Sequence, residues 1–214
     1  MKLQRVGAVV AVALLVSVAG CAQLLTQEET AFVANEANVT QADAEKAAYS
    51  HNATEWQNVT RSVEAAGQER EVTVSNRAEV FVNRSVDGSP AATVTVVSSP
   101  TVTVAGQELN PVAEWSQRDA LGEFAGQFDP YDTITDIEER ETREVRMLGT
   151  DADMRVFNAT LERETGATDD VVVGVVTVEH EGDYVVAIAV RGIDDAEQGA
   201  TAADTEALLT RIEH

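Results

Sequence analysis

The chain has 214 residues, of which 37 are acidic and only 15 are lysine or arginine, so its formal net charge is −22. Such a charge argues against nucleic acid and anionic lipid surfaces as partners. Hydrophobic residues make up 44% of the chain, which is ordinary for a folded protein and excludes an acidic disordered one. We therefore expect a globular domain with a sizeable core and no nucleic-acid partner.

The first 20 residues have the pattern of a secretory signal. Lys2 and Arg5 make the start positive, and 15 uncharged, mostly apolar residues follow from Val6 to Gly20. A helix of that length spans about 22 Å, less than the roughly 30 Å hydrocarbon core of a bilayer. The segment therefore suits a cleaved export signal better than a permanent membrane span.

Cys21 is the only cysteine, so no disulfide can form within the chain. The preceding residues, Val18-Ala19-Gly20, are small, and the four together resemble a lipobox, in which the cysteine thiol is alkylated by lipid. We therefore expect a membrane partner reached through lipidated Cys21, with the exported protein anchored to the outer face of the cell membrane. Two alternatives stay open: an uncleaved membrane anchor, and ordinary cleavage that leaves a free thiol.

The expected organisation is a signal peptide over 1–20, a lipid-anchored tether over 21–31 and a single acidic α+β domain over 32–214. Removing residues 1–20 shifts the formal charge from −22 to −24 and leaves Lys46 as the one lysine. At about 1 M salt the Debye length is near 3 Å, so such repulsion is screened. This composition is similar to that of proteins from salt-loving archaea; the alternative is simply a soluble acidic surface.

Three helices are predicted from capping and periodicity. Thr40 with Asp43 opens the first helix, which runs to about Tyr49. Ser116 with Asp119 opens the second, which runs to about Phe128. The third helix is predicted near the C-terminus, from Thr201 to Ile212.

Alternating apolar residues predict eight strands. Their approximate ranges are 69–75, 77–86, 94–97, 102–104, 133–147, 153–163, 171–180 and 183–191. The first two are separated by a predicted turn at Ser75-Asn76, and the last two by a hairpin turn at 181–183. Residues 50–58 are expected to form a polar connection in which Trp56 packs on the core. The resulting order, α-ββββ-α-ββββ-α, predicts an α+β fold: an antiparallel sheet of about eight strands with helices on one side.

Five of the eight asparagines begin a sequon for N-glycosylation, which marks exposed segments of exported proteins. The candidate acceptors are Asn38, Asn52, Asn58, Asn83 and Asn158. The cluster nearest the anchor, Asn38 to Asn58, is the preferred one, although sequons also arise by accident in a threonine-rich β sequence.

The sequence contains no nucleophile elbow, phosphate-binding loop, zinc-protease motif or paired-cysteine motif, so we expect no catalytic residues, no cofactor and no established type of metal centre. The strongest local signal is the run from Glu179 to Asp183, where His180 stands among carboxylates. Such a mixture can bind a metal ion or move protons. We take Glu179, His180 and Asp183 as the candidate ligand or metal site; the alternative is a hairpin tip whose residues are polar for conformational reasons.

Several short stretches in a fixed order resemble a family of haloarchaeal lipoproteins classed as a domain of unknown function. Besides the lipobox they are Ala48-Tyr49, Gly67-Gln68, Arg70-Glu71-Val72 leading to Asn76, Ser99-Pro100 through Val102 and Val104 to Gly106, Asn110-Pro111, Leu148-Gly149-Thr150 and Val178 to Asp183. Ala48 departs from the pattern, in which glycine is expected. The resemblance implies lipid anchoring and a salt-adapted surface, but no activity. More loosely, the order of elements resembles a Mog1/PsbP-like sandwich, an analogy that implies no function.

Three functions are compatible with these observations. The favoured one is a non-enzymatic surface module that binds an unknown protein or small ligand or supports the envelope. The alternative is a surface hydrolase or metal-dependent enzyme that uses the His180 hairpin. A transporter-linked solute receptor is disfavoured because it usually needs two lobes around a cleft.

Overall fold

Strands dominate the structure, a computed structural model that describes residues 29–65, 68–85, 90–104, 107–124, 133–162, 166–193 and 202–214. Cys21, the predicted signal segment, residues 125–128 of the second predicted helix and Thr201, the predicted start of the third, lie outside these ranges. The elements, in chain order, are β1 (Glu29–Val33), α1 (Gln41–Lys46), β2 (Ser50–Ala65), β3 (Gln68–Arg84), β4 (Pro90–Pro100), β5 (Thr103–Val104), β6 (Gln107–Glu108), a 3₁₀ turn (Pro111–Glu114), α2 (Gln117–Phe124), β7 (Thr133–Met147), β8 (Thr150–Glu162), β9 (Thr168–His180), β10 (Asp183–Gly192) and α3 (Ala202–Leu209).

Eight of the strands form one mixed sheet. Its order is β2, β3, β4, β10, β9, β8, β7, and all of these neighbours pair antiparallel. β1 is the exception, because it runs parallel to β3, from Glu29 opposite Glu71 to Val33 opposite Ser75. Since β2 covers one edge of β3, β1 and β4 lie end to end along the other edge. The short strands β5 and β6 form a separate hairpin.

The expected α+β class, and with it the Mog1/PsbP-like analogy, is wrong. The sheet is mixed rather than antiparallel, and the described residues contain only three α-helices, of 6, 8 and 8 residues. These helices also cover both faces of the sheet rather than one, because α1 and α3 pack in one apolar cluster and α2 in another. The chain is therefore mostly β, with few and short helices.

The core consists of these two clusters on opposite faces of the sheet. Neighbouring residues divide between them: Val156 belongs to the cluster under α1 and α3, and Phe157 to the cluster under α2. The same division holds for Val185 and Val186. Because successive side chains of a strand point to opposite faces, this division shows that β8 and β10 are buried on both sides.

The first half of the sheet differs from the predicted strands. Residues 50–58 form the edge strand β2 instead of a connection, and Trp56 is 53% exposed with Arg77 stacked 5.4 Å from its ring centre. β3 runs straight through the predicted turn, because the Asn76 amide is buried and satisfied within the sheet. Its oxygen accepts a hydrogen bond of 2.8 Å from the Ser99 hydroxyl, and its nitrogen donates one of 3.3 Å to Gln57.

The predicted starts of the first two helices are confirmed by their caps. The Thr40 hydroxyl accepts from the Asp43 backbone N–H at 3.3 Å, and the Ser116 hydroxyl accepts from that of Asp119 at the same distance. The Lys46 and Thr40 side chains hold the pKa of Asp43 below its ordinary 3.8, and the Ser116 hydroxyl and backbone N–H do the same for the pKa of Asp119. None of the helices in the described ranges is long and apolar enough to cross a membrane.

Candidate metal centre at the β9–β10 hairpin

The predicted hairpin between β9 and β10 is confirmed, but its turn consists of two residues, because Asp183 is already the first residue of β10. Glu181 and Gly182 have φ of 47° and 90°, and two positive values are what a type I′ turn requires to match the twist of its strands. The Gly182 carbonyl accepts two hydrogen bonds of 2.8 Å from Thr101, one from its backbone N–H and one from its hydroxyl. The tip is thereby fixed to the chain that follows β4.

Asp183 lies just after this turn and is buried, with 2% of its surface exposed. Its Oδ2 atom accepts a hydrogen bond of 2.7 Å from the Asn35 backbone N–H and lies 3.0 Å from His214 Nε2. In this contact the carboxylate oxygen acts as the acceptor and Nε2 as the donor, which puts a ring hydrogen on Nε2. Asp183 therefore joins the segment after β1 and the last residue of the chain to the hairpin.

His214 completes the arrangement. Its side chain is only 1% exposed, and its second ring nitrogen, Nδ1, is buried without a hydrogen-bond partner in the structure. The rings of His214 and His180 meet edge to face, with centres 5.5 Å apart and an angle of 75° between their planes. His180, Glu181, Asp183 and His214 are hereafter the hairpin cluster.

Three members of the hairpin cluster can share a metal ion. His180, Glu181 and His214 each offer one ligand atom, and these atoms lie within 4.8 Å of one another. Two imidazoles and a carboxylate are a ligand set that transition metals accept. Asp183 occupies a different role, since its carboxylate is engaged with Asn35 and His214.

As a whole residue His214 is partly exposed, although its side chain is buried. His214 also lines an open polar depression of about 630 Å³ together with Glu36, Asn38, Thr40 and Glu213. Its two glutamates are exposed, so the opening is negatively charged at neutral pH. Such a field attracts cations.

The structure separates the three residues singled out from sequence. His180 and Asp183 lie in the hairpin cluster, whereas Glu179 is exposed on the opposite face of β9, paired with Tyr184. Burial, followed by the charges of Glu108 and Glu179, raises the pKa of Tyr184. His214 was not expected at this site. It is 31 residues from Asp183, and no local pattern connects the two.

The five sequon asparagines differ in accessibility. Asn52, Asn58 and Asn158 are exposed and Asn38 is partly buried. Asn83 is 7% exposed, and its amide nitrogen donates a hydrogen bond of 2.7 Å to the Ala48 carbonyl. Because an N-linked glycan uses that same nitrogen, glycosylation of Asn83 would break this hydrogen bond.

A second concavity lies between β2 and α2. Its empty volume is about 550 Å³, and it is lined on the α2 side by Trp115 and Phe124, whose rings meet edge to face at 5.3 Å. Val59 and Val74 give its remaining wall apolar surface, and the polar side chains of the wall are those of Gln57, Arg61, Asn76, Asn110 and Glu123. The hairpin cluster differs from this concavity in that it brings together two imidazoles and two carboxylates, which are groups that bind metal ions.

Comparison with known proteins identifies the family but no activity. No curated protein matches the chain. Among solved structures, the chain is similar to a protein of unknown function, PA94, from Pseudomonas aeruginosa, at 13% identity and a TM-score of 0.28 over 64% of this chain and 85% of that one. A TM-score this low supports no conclusion about the fold or the function of this chain. A family model described as a domain of unknown function, DUF6517, matches residues 36–213, so the chain belongs to this family.

Proposed function

We propose that the protein is a lipid-anchored surface module of a salt-loving archaeon that binds a ligand at the outer face of the cell membrane without catalysing a reaction. The signal pattern over 1–20, the lipobox-like sequence ending at Cys21 and the acidic, lysine-poor composition support the anchor and the environment. The sequons at Asn38, Asn52, Asn58 and Asn158 support exposure outside the cell. The ligand is a small molecule, an ion or another protein of the envelope.

The observation that carries the proposal is the position of β1. This strand begins at Glu29, so only seven residues separate it from Cys21, and seven extended residues reach at most about 25 Å. Two residues beyond the end of β1, the Asn35 backbone N–H is bonded to Asp183. A lipid on Cys21 would therefore hold the domain, and the hairpin cluster with it, close to the membrane.

Binding is favoured over catalysis by the composition of the hairpin cluster. Its described members are two imidazoles and two carboxylates, one of which is engaged in positioning His214. These groups can hold an ion or a ligand without forming a covalent intermediate. No serine, threonine or cysteine within the cluster is placed as a nucleophile with a general base.

A metal-dependent hydrolase remains the second candidate, and one observation favours it. Three ligands leave a coordination position for water, as in catalytic zinc sites. Hydrolysis of ester, phosphoester and peptide substrates by wild type and His180→Ala, each with added zinc, tests this function. Equal rates in the two proteins would remove the hairpin cluster as an active site.

Replacement of Cys21 by serine tests the anchor, because a hydroxyl does not take the place of the thiol in lipid attachment. We expect Cys21→Ser either to appear in the soluble fraction or to remain as unprocessed precursor, and to lose incorporation of a labelled lipid precursor. The matched control Ala22→Ser, one residue away, should keep both the label and the membrane association. A cleaved Cys21→Ser protein that stays in the membrane fraction would contradict the proposal.

A further inference from the structure

We propose that His180, Glu181 and His214 form a binding site for a divalent transition-metal ion of the zinc type. In this site His214 binds the ion through Nδ1 and Asp183 holds the His214 ring in place. The site is independent of the lipid anchor, because none of its residues belongs to the signal or to the tether.

The surroundings of His214 Nδ1 favour metal binding. This atom is buried and has no hydrogen-bond partner, although nearly all buried polar atoms in folded proteins have one. A buried nitrogen without a partner is unfavourable, because it has lost its water and gained nothing in return. Coordination of a metal ion by the Nδ1 lone pair removes that cost.

Asp183 favours the tautomer of His214 that can bind a metal ion through Nδ1. Its carboxylate lies 3.0 Å from Nε2 and accepts the hydrogen on that nitrogen, so the lone pair of the neutral ring is on Nδ1. A histidine that binds a metal usually donates its other N–H to a carboxylate in this way, which fixes the ring and makes the ligand more basic. Asp183 is thus a positioning residue.

The other two ligands, His180 and Glu181, lie close enough to His214 to bind the same ion. Zinc–nitrogen bonds of about 2.0–2.1 Å put tetrahedral ligand atoms about 3.4 Å apart, so ligand atoms within 4.8 Å of one another have to close by at most about 1.4 Å. Glu181 is exposed and His180 is partly exposed. Both side chains can therefore move to the ion, while the buried His214 stays fixed.

The ligand set selects the class of metal. Imidazole nitrogens suit zinc, copper, nickel and cobalt, whereas calcium takes six to eight oxygen ligands and magnesium a near-octahedral oxygen shell. With two imidazoles and one carboxylate, the site discriminates against the hard cations that the other acidic surface residues attract without selectivity. The negatively charged opening beside His214, with Glu36 and Glu213, attracts cations to this side of the hairpin cluster.

Occupation of the site would also connect distant parts of the chain. Through Asp183, the ion would strengthen the contact among the segment at Asn35, the hairpin and His214. Because an ion that binds only the folded state stabilises it by mass action, zinc should raise the melting temperature of the protein.

The test is titration of the full, processed protein, treated with chelator and held at constant high salt, with zinc chloride by calorimetry. We expect one zinc ion per chain and a rise in melting temperature, with calcium in large excess unable to displace the zinc. His180→Gln and Glu181→Gln, at surface positions, should weaken zinc binding by about 100-fold and 10-fold. Asp183→Asn, which keeps an acceptor oxygen but no charge, should weaken it by about 10- to 100-fold.

Two controls distinguish the loss of a metal site from the loss of the folded state. His51→Gln removes the remaining histidine of the chain, which is bonded to Glu79 instead, and should bind zinc like wild type. Cobalt loading should give visible absorption bands in wild type that change in His180→Gln. Absence of zinc binding by folded wild type, binding unchanged in both His180→Gln and Glu181→Gln, or equal displacement by calcium would overturn the proposal. If His214→Gln fails to fold, the two surface variants still decide.

Discussion

At the scale of single residues, the most demanding polar group of the described core is Glu79. Its side chain is 1% exposed, and its carboxylate accepts hydrogen bonds of 2.7 Å from Arg77 Nε and from the Thr54 hydroxyl, with His51 Nε2 also 2.7 Å away. A buried carboxylate needs such partners, because leaving water is costly for a charge. Arg77 in turn stacks on Trp56, which joins β2 to β3.

Removal of the Arg77 charge should therefore destabilise the protein. Arg77→Met leaves the buried Glu79 without its arginine partner, and we expect a loss of about 3 kcal/mol in the free energy of unfolding. Urea denaturation at constant salt measures the loss. The control Arg146→Met breaks an ion pair with Asp151 whose side chains are 59% and 61% exposed, and should cost less than about 1 kcal/mol. Equal losses in the two variants would show that the Glu79 cluster is no more important than a surface pair.

The two residues that matter most at the hairpin cluster differ in how far sequence reveals them. His180 could be singled out, because it stands in a run of charged residues beside a recognisable turn. His214 could not, because only the fold brings the end of the chain to β10. Asp183 was selected as a ligand, but its burial gives it a positioning role that no sequence pattern expresses.

At the scale of elements, the end of α1 shows why one residue departs from the expected pattern. The Tyr49 N–H donates to the Ala44 carbonyl at 2.9 Å and the Ala48 N–H to that of Glu45 at 3.0 Å, the two bonds of a Schellman motif. Ala48 has φ of 62°, in the left-handed region that favours glycine. The expected glycine at this position therefore has a physical reason.

Replacement of Ala48 by glycine should stabilise the protein. Glycine adopts the left-handed conformation without the steric cost paid by alanine, so we expect Ala48→Gly to raise the free energy of unfolding by about 1 kcal/mol. The neighbouring Ala47→Gly should lower it, because Ala47 has φ of −93° and its methyl group is buried. Thermal and urea unfolding of both variants provide the comparison. A loss of stability in Ala48→Gly as well would contradict this reading of the helix end.

Elements were predictable where burial leaves a clear pattern. β9 and β10 are buried on both faces, so their sequences are nearly continuous apolar runs. The ends predicted for these two strands therefore lie within three residues of the observed ones. β2 was missed because an edge strand with exposed polar residues resembles a loop. The break predicted in β3 arose from Ser75-Asn76, a common turn pair, and only the buried partners of Asn76 explain why the strand continues.

At the scale of the whole molecule, the fold class and the topology of the sheet could not be predicted from the sequence. β1 begins at Glu29, within the segment assigned to the tether, and pairs in parallel with β3. A five-residue strand next to polar residues has too little periodicity to identify. Nor does any local pattern say that helices of 6 and 8 residues cover opposite faces of one sheet.

The charge of the whole molecule leads to a prediction about salt. A formal charge of −22 opposes compaction, and high salt screens that repulsion. We expect the domain to lose structure on dialysis to about 0.1 M salt, where the Debye length is about 10 Å, and to regain it when salt is restored. Far-UV circular dichroism follows the change. An unchanged spectrum at low salt would favour an ordinary soluble acidic surface.

Crystallography of the zinc-loaded protein shows whether the hairpin cluster binds a metal ion. Diffraction on either side of the zinc absorption edge should show one strong anomalous peak, bonded at about 2.0–2.1 Å to His180 and to Nδ1 of His214 and also held by Glu181. Asp183 should still accept the hydrogen of His214 Nε2. A well-ordered hairpin without an anomalous peak, or a His214 ring whose Nδ1 faces Asp183, would contradict the account.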